Sequence, residues 1–135
     1  MKNIQSIEKT IAGLCKDEVA IAAAYIFGSV AKGTSKKTSD LDVAILLNET
    51  ELEQFSILWF ISLLEKKLGC RVDAVVLNRA SEVLKFEVRS RGKLVFERSA
   101  DFRKKFEIMG RKTYEDFLYL HKRYVNSVLY GENNG

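Results

Sequence analysis

Three short stretches of this 135-residue sequence carry the residue types that chemistry on a phosphate requires. Tyr25-Ile26-Phe27 runs into Gly28-Ser29, and after ten intervening residues comes Asp40-Leu41-Asp42. Asp73 then stands inside the otherwise apolar run Val72 to Leu77 that follows Arg71. Gly28 has no Cβ, so a ligand can approach the backbone closely there. Ser29 brings a hydroxyl and an amide to the expected start of a helix. Such a start suits an anion, because unpaired N–H groups and the helix dipole both favour phosphate. Lys32, Lys36 and Lys37 add positive charge just beyond it, and Ser39 leads into the aspartates.

Asp40 and Asp42 lie two apart at the start of a predicted strand. Period two puts both carboxylates on one face and turns Leu41 into the core. Two close carboxylates repel each other unless something compensates. A hard divalent cation does so, since Mg²⁺ prefers oxygen ligands and is commonly held by one or two carboxylates plus substrate phosphates. Asp73 amid strand-forming apolar residues is costly to bury unless it is paired or ligates a metal. If its strand neighbours that of Asp42, three carboxylates converge, which suits a two-metal centre. A lone Asp-x-Asp is usually a turn or surface feature, and a lone Gly-Ser says less still. The ordered set on successive strands is far more distinctive.

The elements that would position these residues can be read from apolar periodicity. Residues 2–17 carry Ile4, Ile7, Ile11 and Leu14 at helical spacing. Val19 to Phe27 is a strand ending at Gly28. Leu41 to Leu47 is a second strand, apolar on both faces after Asp42, as a covered central strand should be. Glu51 to Leu68 is predicted as a helix closed by Gly69. Arg71 to Leu77 is a third strand, Ala80 to Arg91 a helix, and Lys93 to Glu97 a short edge strand.

From Ser99 to Tyr130 the sequence reads as helical throughout, with Ser99 as N-cap and Asp101 at the positive end. Phe102, Phe106, Met109, Phe117, Leu120, Tyr124 and Val128 form one apolar stripe. As a single rod these residues would span about 48 Å at 1.5 Å per residue. A compact chain of this length has a radius of gyration of only about 14 Å. The segment therefore either breaks near Gly110 into a hairpin, or projects and offers its stripe to a partner.

The pattern Gly28-Ser29, ten residues, Asp40-Leu41-Asp42 resembles the signature of the DNA polymerase beta superfamily of nucleotidyltransferases. In length and spacing the chain is similar to the minimal nucleotidyltransferases, or MNT proteins, encoded beside HEPN partners. The resemblance covers roughly residues 20–98. It implies an α+β fold with a mixed β-sheet flanked by helices, to which this chain adds the long C-terminal helical segment. It implies one nucleotidyltransferase domain over residues 1–135, with its core at about 18–98 and the helical segment at about 99–130. It implies bound Mg²⁺, two ions in number, and ATP as substrate. Asp40, Asp42 and Asp73 would be the catalytic, metal-binding carboxylates, and Gly28, Ser29, Lys32 and Ser39 would hold the nucleotide. The family further implies an antitoxin that transfers AMP to a tyrosine hydroxyl of a HEPN ribonuclease toxin.

The toxin role itself does not fit, because its Arg-x4–6-His signature is missing. His121 is the only histidine, and Tyr114, Glu115 and Asp116 occupy the positions where the arginine would stand. His121 reads instead as a surface or helix-packing residue. Two other functions remain in view: an antitoxin that acts by binding alone, suggested by surplus apolar residues such as Phe55 and Trp59, and a small-molecule nucleotidyltransferase of the aminoglycoside type. The latter wants an acidic pocket, whereas the motif here is rich in lysine.

Composition narrows the rest. The net charge is +4, from 22 basic and 18 acidic residues. Seven basic and five acidic residues fall from Ser99 onward, so both parts carry the same excess and neither stands out as a nucleic-acid surface. Direct nucleic-acid binding is not required, and a homodimer is compatible with the sequence. Cys15 and Cys70 are too few and too far apart for a disulfide framework or zinc cluster, which fits a reducing cytoplasm. The most apolar run, Phe55 to Leu64, is too short for a bilayer, and no signal peptide opens the chain.

Overall fold

The computed structural model describes residues 3–28 and 40–131. Helix α1 (Ile4–Asp17) begins at Asn3, whose side chain accepts the amide of Ser6. Strand β1 (Ile21–Phe27) leads to Gly28, and β2 (Leu41–Leu47) returns antiparallel to it. Helix α2 (Ile57–Leu68) and β3 (Val72–Val76) follow, with β3 parallel to β2. Helix α3 (Glu82–Arg91), β4 (Lys93–Glu97) and α4 (Ala100–Leu129) complete the order. The sheet runs β3-β2-β1-β4, so it is mixed, with β3 and β4 at its edges.

Both faces of the sheet are covered, which explains why β1 and β2 are almost continuously apolar. On one face Ile21, Ile26, Leu41, Val43 and Ile45 pack against Ile7 and Ile11 of α1 and Phe60 and Leu64 of α2. On the other, Tyr25, Ala44 and Leu46 meet Val88 of α3 and Phe102 and Phe106 of α4. The alternation slips once. The β1–β2 register shifts between Ile21 and Ala23, and the consecutive residues Ala22 and Ala23 both face the α3–α4 side. A bulge re-aims a strand in this way. It sets Tyr25 on the α3–α4 face and Ile26 on the other. Arg98 ties α1 to the sheet, donating to the carbonyls of Cys15 at 2.8 Å and Ile21 at 3.0 Å.

Two expectations need correction, and of the two courses open to the C-terminal segment one is decided. The helix predicted from Glu51 begins only at Ile57. Glu49–Glu51 instead forms a short 3₁₀ turn, and Ser56 caps α2 by accepting the amide of Trp59. The C-terminal segment does not break at Gly110, because α4 is one helix of 30 residues, about 45 Å long. Gly110 is buried where the guanidinium of Arg89 crosses α4, and a Cβ there would lie 2.8 Å from its Nη1. The glycine is therefore a notch for a neighbouring side chain, and the intramolecular hairpin is absent. Finally, Asp73 is exposed, since β3 is an edge strand, so the cost of burying a lone acid does not arise.

The first half of α4 packs on α3 and β1, while Leu120, Tyr124, Val128 and Leu129 of the second half are exposed. His121 is exposed and stacks on Phe117 at 5.9 Å. Trp59 is half exposed, and Phe55 is half-buried against the core. Cys15 is fully buried and its thiol is pushed up to about 12 by that burial, while Cys70 is half-buried. Among the described residues no helix is long and apolar enough to cross a membrane.

Candidate active site

Antiparallel β1 ends where the parallel strands β2 and β3 begin. Gly28, Asp42 and Asp73 therefore reach the same end of the sheet from three neighbouring strands. Phe27 pairs with Asp42, and Asp42 pairs with Asp73. Leu41 is fully buried on the α1–α2 side, which leaves Asp42 on the opposite face with Ala44 and Leu46. Asp40 precedes β2 by one residue and is half-buried. The sequence-predicted Ser29, Lys32 and Ser39 lie outside the described residues.

Gly28 has a left-handed backbone, with φ 73°. A Cβ added there would collide with Asp42 Oδ2 and lie only 3.1 Å from Asp42 Cγ. Two independent demands thus fall on one position: a conformation that L side chains resist, and space already taken by a carboxylate. The Asp42 carboxyl is held above the usual carboxylate range. Partial burial is the main cause, followed by the charges of Asp73 and Asp40.

Arg71 is a neighbour that the sequence reading did not single out. Its carbonyl accepts the amide of Leu41 at 3.0 Å, which extends the β2–β3 ladder by one step. Its Nε lies 3.9 Å from Asp40 Oδ1, and its side chain is 86% exposed. The only prior signal was a basic residue opening the third strand.

The donor set is all oxygen and carries net negative charge, so it fits a hard divalent cation. The Asp42 carboxyl is raised first by its partial burial, and the charges of Asp73 and Asp40, which a bound cation would compensate, add to that. As they stand, the side chains are not gathered. Among the described residues, no group of three or more His, Cys, Asp and Glu is close enough to hold a metal ion. What the backbone supplies is a shared strand end, a register and a glycine that makes room for Asp42.

Comparison with known proteins agrees with this architecture. The polymerase beta nucleotidyltransferase family model matches residues 9–101. Protein adenylyltransferase MntA of Shewanella oneidensis is 33% identical over 95 residues, spanning 70% of this chain and 68% of that relative. A crystal structure of a toxin–antitoxin with AMP-PNP superposes with a TM-score of 0.75 at 25% identity, covering 90% of this chain and 98% of that one. A Shewanella oneidensis complex of a tri-AMPylated HEPN toxin with MNT antitoxin shares the fold, with a TM-score of 0.67 at 24% identity over 93% and 98% of the two chains. The chain belongs to the polymerase beta nucleotidyltransferase family, in its minimal nucleotidyltransferase group.

Proposed function

We propose that this chain is a Mg²⁺-dependent protein adenylyltransferase that moves AMP from ATP to a tyrosine hydroxyl of a HEPN-type toxin, and so acts as its antitoxin. The observation that supports it most is the convergence of Gly28, Asp42 and Asp73 on one end of the sheet. The 33% identical relative is named a protein adenylyltransferase, and the structural neighbour at 25% identity is a toxin–antitoxin pair with an ATP analogue.

In this reading Gly28, Ser29, Lys32 and Ser39 bind the nucleotide. Asp40, Asp42 and Asp73 hold Mg²⁺, two ions in number. When bound, the metal neutralises charge on the phosphates and sharpens the electrophilic character of the α-phosphorus. Gly28 keeps the Asp42 carboxylate in place, since no side chain competes for its position. Asp73 is the exposed carboxylate, open to an incoming hydroxyl, and takes the proton of that hydroxyl. The tyrosine oxygen forms a bond to the α-phosphorus, the α–β anhydride bond breaks, and pyrophosphate leaves. Catalysis is then largely positioning and charge compensation.

The residues 1–135 work as one nucleotidyltransferase domain in this proposal, and the site acts in the cytoplasm. The projecting half of α4 favours a second contribution by binding. Its exposed Leu120, Tyr124, Val128 and Leu129 form a surface on which the partner would dock. The test is incubation of the purified protein with Mg²⁺, α-labelled ATP and the helical, Arg-x4–6-His protein encoded beside it. Label is expected on that protein and is expected to disappear with Asp42→Ala. Undiminished label in Asp42→Ala would defeat the assignment, and so would full toxin rescue by that variant without any label.

A further inference from the structure

Asp40 and Asp42, at the start of β2, face Arg71 and Asp73, at the start of β3. Asp42 pairs with Asp73, and Leu41 pairs with Val72. One step further brings Asp40 level with Arg71, where Nε and Oδ1 are 3.9 Å apart. Three corners of this square are acidic and one is basic. The basic corner lies on the edge strand, on the side of β2 away from β1 and Gly28.

That separation assigns the two sides different tasks. Gly28 and Arg71 are two strand spacings apart, about 10 Å. A triphosphate held at the end of β1 thus leaves the β3 edge open to whatever brings the acceptor hydroxyl. Among the described residues Arg71 has one loose ionic contact, to Asp40. It is 86% exposed, and 3.9 Å to Asp40 is longer than a hydrogen bond. Exposed pairs of this kind contribute little to stability. A guanidinium presents a planar fork of donors that matches a carboxylate, and a charge at the rim of an interface steers encounter.

We propose that Arg71 is a specificity-determining residue of the acceptor side, recognising an acidic group that flanks the acceptor hydroxyl on the partner protein. The inference rests on the adenylyl-transfer reading above. Through Arg71 the chain selects hydroxyls set in an acidic surface, and it exchanges its loose contact with Asp40 for the partner's carboxylate.

The experiment measures label transfer to the neighbouring-frame partner as a function of its concentration, with wild type, Arg71→Gln and Arg71→Lys. Arg71→Gln is expected to raise KM for the partner about tenfold, as loss of one charged contact would. The KM for ATP should move less than about twofold, since the triphosphate lies across the sheet. Arg71→Lys should recover only part of the loss, because it keeps the charge but not the fork of donors, and the dependence of KM on salt should be shallower in Arg71→Gln. An unchanged partner KM in Arg71→Gln would overturn the proposal, as would a rise confined to the KM for ATP. Wild type that labels no partner removes the underlying reading as well. Wild type that labels normally while Arg71→Gln equals it removes only this inference.

Discussion

The carboxylate of Asp42 occupies the space that a side chain at residue 28 would need. Any Cβ at that position would collide with Oδ2 and stand 3.1 Å from Cγ, on a backbone already left-handed at φ 73°. The glycine of the Gly-Ser motif therefore serves the metal-binding candidate on the neighbouring strand as well as the ligand it is expected to admit.

Gly28→Ala should consequently damage fold and activity together. The left-handed backbone alone costs about 1–2 kcal/mol, and displacement of the Asp42 carboxylate adds to it. Urea unfolding would read the stability loss, and AMP transfer should fall more steeply than stability accounts for. A variant of wild-type stability and full transfer would contradict the packing described.

Asp42 carries a cost for the metal-free fold. Its carboxyl lies above the ordinary range because of burial, Asp73 and Asp40. The native state thus holds this proton more tightly than the unfolded chain does. The stability it contributes is present below the unfolded value, near ~3.9, and is lost as pH rises through the native one. Asp42→Asn should melt higher than wild type at pH 7 in chelator, and this advantage should shrink as pH falls through that window. The same variant should lose AMP transfer. A variant less stable than wild type at pH 7, in chelator, would show that Asp42 stabilises the empty fold.

Gly110 and Arg89 form a testable pair. In an ordinary helix interior Gly→Ala gains about 1 kcal/mol. Here the added methyl meets Arg89 Nη1, whose guanidinium also lies over the rings of Phe86 and Tyr114 at 5.8 and 5.9 Å. Gly110→Ala should gain little or lose stability alone, yet gain about 1 kcal/mol in an Arg89→Ala background. Additive effects in the double-mutant cycle would show that the notch is unimportant.

The projecting half of α4 should separate binding from folding. Leu120→Glu combined with Tyr124→Glu changes two residues that are 62% and 65% exposed, so thermal stability should shift little. Capture of the partner should weaken at least tenfold, by loss of apolar contact and by the cost of desolvating two new carboxylates. Unaltered capture, measured by calorimetry, would place the partner elsewhere on the chain.

Much of the framework was legible from local rules. The bounds of β2 and β4, the N-cap at Ser99 and the left-handed C-cap at Gly69 follow from alternation and capping chemistry. The start of α2 was not legible. Residues 51–56 have helix-compatible composition, yet the chain passes through the 3₁₀ turn Glu49–Glu51 and a further turn before Ser56 caps the helix. The bulge at Ala22 and Ala23 was equally hidden, because an unbroken apolar run keeps no record of which residue skips a pairing.

The sequence by itself determined the identities and spacing of Gly28, Asp40, Asp42 and Asp73, and the strands that carry them. Those depend on backbone conformation and on periodicity along the chain. Only the tertiary structure decided what stands beside what. The parallel β2–β3 register sets Asp42 against Asp73 and Asp40 beside Arg71. The crossing of α3 over α4 turns Gly110 from a break into a notch. Both are contacts between segments remote in the chain, and they are fixed by which faces pack together rather than by any local preference.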